Sequence, residues 1–464
     1  RRFFEEKYAI MHALEYIILI PIIIIGQGLC FSLTNHVAFM EGVNYILNPI
    51  ASTPNYICIL NILYIAVVIG VVINALPSER IKAKGNDKYD LSIIGAGDVV
   101  VNRLIPALEQ MLRRMNVVIY DIDESRVEKS KRKDIRGNTF IYKIKDENFK
   151  KNTLNSSIVW IATPSSTHLT YLEEFMNEDV FIAIEKPLTS LKSEYSALRN
   201  LLKSDGGNKV FCLSYYYLEK ALPLVFLFNP MAFYEKYLIF SKEKTRHEVL
   251  AAFSLLGNLK KVRLHLLEQN DERGWLKSNL YGGQYMETFI HLALLSRMIL
   301  GEKYFESNPS WVLGDYQKDY KSTYIECIGK VEDVDYHLYM GKFMSVKKRR
   351  GRISYEYGEI LIDFENSSCQ CQFYKDSSLN FSISLNSLYP KYGVLFDMVE
   401  RCYEESLIPS TIDGSELQLE TLEWLFANNF STVKHFDYDE KTIQDSFEAY
   451  HKKEGWKATE TKNT

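Results

Sequence analysis

The chain has 464 residues, is 47% hydrophobic and 25% charged, and carries a formal net charge of -4, enough length for two or three domains with sizeable cores. With no basic block beyond Lys347-Lys348-Arg349-Arg350, which reads as a solvated hairpin cap, nucleic acid is excluded as a partner. Seven scattered cysteines with no Cys-x-x-Cys pair and no completing histidines exclude a disulfide scaffold and a metal site.

Two stretches, about 16–34 and 56–76, are almost wholly apolar, and each is long enough to cross a hydrocarbon core. Between Glu15 and Glu79 the only formally charged side chain is Glu41, so neither has the polar face of a soluble helix. Lysine and arginine flank the pair and are absent from the loop between them, which orients both ends to the cytoplasm. Residues 1–85 are therefore expected to form a transmembrane hairpin, with Pro77–Asn86 as linker. The protein is expected to sit in the membrane as a multi-pass chain in contact with the lipid bilayer, its catalytic domain cytoplasmic.

The next stretch, Asp90-Leu91-Ser92-Ile93-Ile94-Gly95-Ala96-Gly97-Asp98-Val99-Val100, reads as a buried strand, a glycine turn and a helix start. Gly95 permits the sharp turn, and Gly97 lets a pyrophosphate approach the backbone at the helix N-terminus, beside Asp98 and Val99. The third small position of that pattern is Val100. A helix over Asn102–Arg114 follows, then the strand Val117–Asp121. Asp121 lies near the offset of a carboxylate that binds a ribose 2′-hydroxyl and repels a 2′-phosphate, favouring NAD over NADP, although Arg126 is close by. Ser157–Ala162 reads as a further strand ending in Thr163-Pro164, with Ser165 to His168 opening a helix; Val180–Ile184 is the next strand, closed by Glu185-Lys186-Pro187. Strands alternating with helices predict a doubly wound parallel sheet over 89–212, with ligands at its carboxyl edge.

Gly95-Ala96-Gly97, Ala162-Thr163-Pro164 with His168, and Glu185-Lys186-Pro187-Leu188 together resemble, in order and spacing, the Gfo/Idh/MocA family of NAD(P)-dependent oxidoreductases. The resemblance covers roughly 89–430 and implies NAD, or NADP, as cofactor. It implies that Lys186 is the catalytic lysine, an ammonium able to stabilise a developing alkoxide. It also places Thr163, Pro164, His168 and Glu185 around the cofactor.

Residues 213–430 are expected to form an α+β substrate-binding and dimerisation domain, followed by a polar tail over 431–464. Tyr217 and Lys220, leaving the first domain, and Trp275 are candidate substrate contacts. Gly282-Gly283 leads into Glu287 and His291, four apart and so on one helical face. The resemblance is to a family with an acid and a histidine there; His291 would act as general acid/base and Glu287 would orient it or bind a sugar hydroxyl. Repeated alternating runs from Tyr324 to Leu385 predict a large antiparallel sheet, available for homo-oligomer contacts. Tyr389–Glu404 reads as an amphipathic helix, and Thr411–Gly414 as the cap of a final helix ending at Ala427.

These features imply a membrane-anchored oxidoreductase that moves a hydride between NAD(P) and a hydroxyl or carbonyl carbon of a sugar or sugar derivative. The alternatives are a non-catalytic dinucleotide sensor or scaffold and a reductase of a lipid-linked, non-sugar substrate.

Overall fold

A computed structural model describes residues 89–436, apart from 111–114, 131–138, 215, 242–243, 269–284, 315–323, 343–346, 388–391, 406–414 and 428–433. The chain divides into two units, 1–79 and 80–464, and every described residue lies in the second.

The first sheet contains β1 (Tyr89–Ile94), β2 (Asn116–Asp121), β3 (Thr139–Ile144), β4 (Ser156–Ile161), β5 (Phe181–Glu185) and β6 (Val210–Leu213). All six pair in parallel in the order β3-β2-β1-β4-β5-β6. Every residue of β1, β4 and β5 is buried, which explains their continuous apolar runs: helices cover both faces. The strand order reverses between β1 and β4, and a crevice opens there at the carboxyl ends.

The second sheet has ten strands. They are β7 (Leu238–Phe240), β8 (Leu259–Leu267), β9 (Ser310–Gly314), β10 (Tyr324–Val331), β11 (Val334–Gly341), β12 (Lys348–Tyr355), β13 (Gly358–Asp363), β14 (Ser368–Phe373), β15 (Phe381–Leu385) and β16 (Lys434–Phe436), in the order β16-β9-β10-β11-β8-β12-β13-β14-β15-β7. The sheet is mixed rather than antiparallel, because β8 pairs in parallel with β11 and β16 with β9. Parallel neighbours need a crossover. The helix Ile290–Leu300 lies between β8 and β11 in sequence and packs on both.

The membrane expectation is corrected. Among the described residues no helix is long and apolar enough to cross a membrane. The stretches at 16–34 and 56–76 lie outside the described residues, and the multi-pass localisation, with its bilayer partner, is withdrawn.

Candidate active site

Gly95 ends β1 at φ +102°, a conformation that side chains rarely adopt. A Cβ there would stand 2.7 Å from the Ala162 carbonyl oxygen, so the turn closes against the β4 loop only as glycine. Gly97 differs: a Cβ there meets nothing of the protein within 4 Å and would occupy only the cleft. Such an open approach beside a helix start suits a pyrophosphate. The helix leaves through a π turn, Val100–Leu104, in which Val100 is fully buried.

Asp121, at the end of β2, braces this turn. One carboxylate oxygen accepts from Ala96 N–H at 2.7 Å and the other from Asp123 N–H at 2.9 Å. Each oxygen has a second lone pair, so a ribose hydroxyl can still donate to it. Arg126 pairs with Asp123 at 3.5 Å.

On the other side of the crevice, Thr163 and Pro164 follow β4. Thr167 donates to Thr163 Oγ1 at 2.8 Å. His168 does not face the cleft; it is wholly buried behind the loop, with Nε2 at 2.9 Å from the Thr163 carbonyl oxygen, and burial pushes its imidazole down to about 4. Lys186 follows β5 and is joined to Pro187 by a cis peptide. Its neighbour Glu185 is buried and accepts from the Tyr392 hydroxyl at 2.9 Å. Burial raises the Glu185 carboxyl to about 7, against the downward pull of that hydrogen bond and of Lys186 and Arg103.

These groups line one cleft of about 1480 Å³ with residues from beyond β6: Lys220, Glu268, Thr288, His291, Lys342, Lys347, Arg349, Glu365 and Tyr392. His291 is 5% exposed. Burial first, then the charges of Lys186, Lys342, Arg349 and Arg103, push its imidazole well below the usual histidine range, so it is neutral at pH 7. Gly95, Gly97, Asp98, Val99, Asp121, Thr163, Pro164 and Glu185, the residues expected at the cofactor, therefore meet Lys186, Lys220 and His291 in one space. Tyr217 stays in the core at 7% exposure and is not among the lining residues. Trp275 and the Glu287 side chain lie outside the described residues. Glu287 itself falls in a π turn, Tyr285–Phe289, where α-helical spacing does not fix a shared face.

Residues 90–211 match the family model for Gfo/Idh/MocA, described as an oxidoreductase family with an NAD-binding Rossmann fold. The match spans the domain built on the first sheet. The protein is accordingly an NAD(P)-dependent oxidoreductase. The glycine approach, the helix start and Asp121 fit the dinucleotide. No curated protein matches the chain. Among solved structures, the chain is similar to KijD10, a 3-ketoreductase from Actinomadura kijaniata in complex with NADP and TDP-benzene, with TM-score 0.55 and 11% identity over 75% of this chain and 99% of that one. It is also similar to a levoglucosan dehydrogenase in complex with NADH and levoglucosan, with TM-score 0.55 and 15% identity over 73% and 96%. An oxidoreductase from Thermotoga maritima gives TM-score 0.53 and 16% identity over 73% and 95%. At these identities the likeness concerns the fold.

Several lining residues carry no signal in the sequence. Glu268, Lys342 and Tyr392 belong to no motif. Lys347 and Arg349 sit in the run that reads as a solvated hairpin cap, and Arg349 instead turns into the cleft.

Proposed function

We propose that the cleft moves a hydride between NAD(P) and a hydroxyl or carbonyl carbon of a sugar or sugar derivative. The observation that carries this is the meeting of Lys186, from the end of β5, with the neutral His291, from the far domain, in one cleft. Bound NAD(P) supplies the hydride acceptor or donor. In the oxidative direction the substrate hydroxyl loses its proton as the carbon loses hydride. Lys186 donates a hydrogen bond to that oxygen and stabilises the charge developing on it. His291, uncharged, accepts the proton and returns it in the reverse direction. Gly97 and the helix start hold the pyrophosphate, and Asp121 takes the adenosine ribose, which favours NAD over NADP. The neighbours solved with a TDP ligand and with levoglucosan support a sugar-like substrate.

The test is a panel of sugars, polyols and nucleotide sugars followed by NADH and NADPH absorbance. Lys186→Ala should lower kcat by about a thousandfold, given the weight of such electrostatic groups, with NADH affinity within a few-fold of wild type. Full activity in that variant would remove Lys186 from the mechanism. NADH binding with no turnover across the panel would favour the sensor instead.

A further inference from the structure

We propose that Tyr392 is a positioning residue of the reaction: its hydroxyl holds the Glu185 carboxylate next to Lys186, and its main chain holds the turn that carries Lys220. The inference rests on the reading of Lys186 and His291 as the reacting groups and deepens it.

Tyr392 stands where several elements of the cleft meet. Its phenol donates to Glu185, at the end of β5, and its N–H donates to Glu219, in the π turn Tyr216–Lys220, both at 2.9 Å. Its ring lies against Trp160 of β4. The residue is only 2% exposed, yet it lines the cleft. Each carboxylate it meets precedes, in the chain, a lysine that lines the cleft: Lys186 after Glu185, and Lys220 after Glu219. One tyrosine therefore ties together the two segments that bring these ammonium groups to the site. Its backbone sits at φ 69°, a region that a bulky residue occupies only when its surroundings hold it there, and such strain concentrates at functional sites. A phenylalanine would fill the same space; what the hydroxyl adds is a hydrogen bond to a carboxyl group inside the cleft.

That hydrogen bond bears on a charge. Burial favours the neutral acid of Glu185, while the Tyr392 hydroxyl and the charges of Lys186 and Arg103 favour the carboxylate. The balance falls at about 7, so the group changes state near neutral pH. Lys186 and Arg103 are also, with Lys342 and Arg349, the cations that weaken His291 as a proton acceptor. An ionised Glu185 opposes the field of Lys186 and Arg103 where His291 takes the proton, and a neutral one does not. Tyr392 thus acts on the reaction through Glu185.

The experiment compares wild type, Tyr392→Phe and Glu185→Gln as full chains. Tyr392→Phe keeps the ring and the N–H contact to Glu219 and removes only the hydroxyl. Infrared difference titration with NADH bound follows the carboxyl stretch of Glu185, assigned by its loss in Glu185→Gln. In parallel, kcat and KM for NAD reduction are measured from pH 5.5 to 9 with the sugar of the panel that wild type turns over fastest. In wild type kcat should rise with pH through about 7, as the carboxyl band disappears. In Tyr392→Phe both should move up by about one pH unit, the weight of a hydrogen bond to a charged group. That shift lowers kcat about fivefold at pH 7 and restores most of it at pH 9, with KM within about twofold of wild type. Glu185→Gln should lose the rise and stay on the low plateau throughout. A merely structural role for Tyr392 would lower kcat by one factor at every pH. That result, an infrared titration unmoved in Tyr392→Phe, or a rise that survives in Glu185→Gln would overturn the proposal while leaving the oxidoreductase reading standing. Full activity in Lys186→Ala, or no turnover of any sugar by wild type, would remove that reading and the proposal with it.

Discussion

Gly95 and Gly97 stand two residues apart and are glycine for different reasons. Gly95 holds φ +102° against the Ala162 carbonyl, so Gly95→Ala combines strain with a clash. It should cost about 2 to 3 kcal/mol of stability, read as a lower Tm. Gly97→Ala places its methyl in open cleft. It should leave Tm unchanged and raise the NADH Kd by about tenfold, roughly the loss of one pyrophosphate–backbone contact. Glu185 gives a second residue-scale expectation. Its folded carboxyl titrates near 7 rather than at its ordinary 4.5, so ionisation costs more in the folded state than in the unfolded one. Its contribution to stability is full below 4.5 and is lost as pH rises toward 7. Glu185→Gln should remove that slope: the Tm of the variant should gain on wild type between pH 4.5 and 7.5. A difference that stays flat across this range would mean that Glu185 ionises normally.

The helices show what sequence pattern can and cannot reach. Strands β1, β2, β4 and β5 of the first sheet were legible because burial on both faces demands unbroken apolar runs; the edge strand β3, half-buried from Ile141 to Lys143 and exposed at Ile144, was not. The turns after Gly97 and Glu185 were legible because their residue types follow from the chemistry they serve. The π turns were not. Val100–Leu104, Tyr216–Lys220 and Tyr285–Phe289 each place a residue on the cleft, Arg103, Lys220 and Thr288, as expected for π turns at functional sites. A search for 3.6-residue periodicity reads through them. The same holds at Tyr392. The amphipathic pattern predicts a helix from Tyr389, yet Tyr392 sits at φ 69°, outside the helix Gly393–Glu405. Two contacts hold it there: its N–H donates to Glu219 at 2.9 Å and its hydroxyl to Glu185 at 2.9 Å. Its ring lies 6.4 Å from Trp160. Tyr392→Phe keeps the ring and should cost about 1 kcal/mol, whereas Tyr392→Ala should cost about 3 to 5 kcal/mol by opening a cavity. Urea denaturation separates the two; equal costs would mean the ring packing contributes little.

At the scale of the whole molecule, sequence order and spatial order part company. The alternation of strands and helices suggests that the dinucleotide domain ends at 212. In the structure, helices far beyond that point return to it. Trp160 on β4 stacks at 6.2 Å on Phe396, and Phe181 on β5 meets Tyr403 edge-on at 6.3 Å. Trp160 pairs in register with Ala183, so Trp160 and Phe181 point to the same face, and Gly393–Glu405 covers it. The helix Ser415–Ala427 packs on Lys192–Leu202, where Tyr195 and Phe426 rings lie 6.0 Å apart and Arg199 pairs with Glu423 at 3.2 Å. The exposed ion pair adds little; the half-buried aromatics carry the contact. Nothing local in 89–212 announces this, because the partners are more than two hundred residues away. A parallel sheet needs both faces covered, so a fragment of residues 89–212 should expose Trp160 and Phe181 and fail to fold cooperatively. A fragment of residues 89–436 should melt in one transition that NADH raises. Calorimetry and near-UV circular dichroism on the two fragments decide the matter. A cooperative, NADH-stabilised transition in the shorter one would mean that the dinucleotide domain closes its own core and that the returning helices serve only to fix the second domain against it.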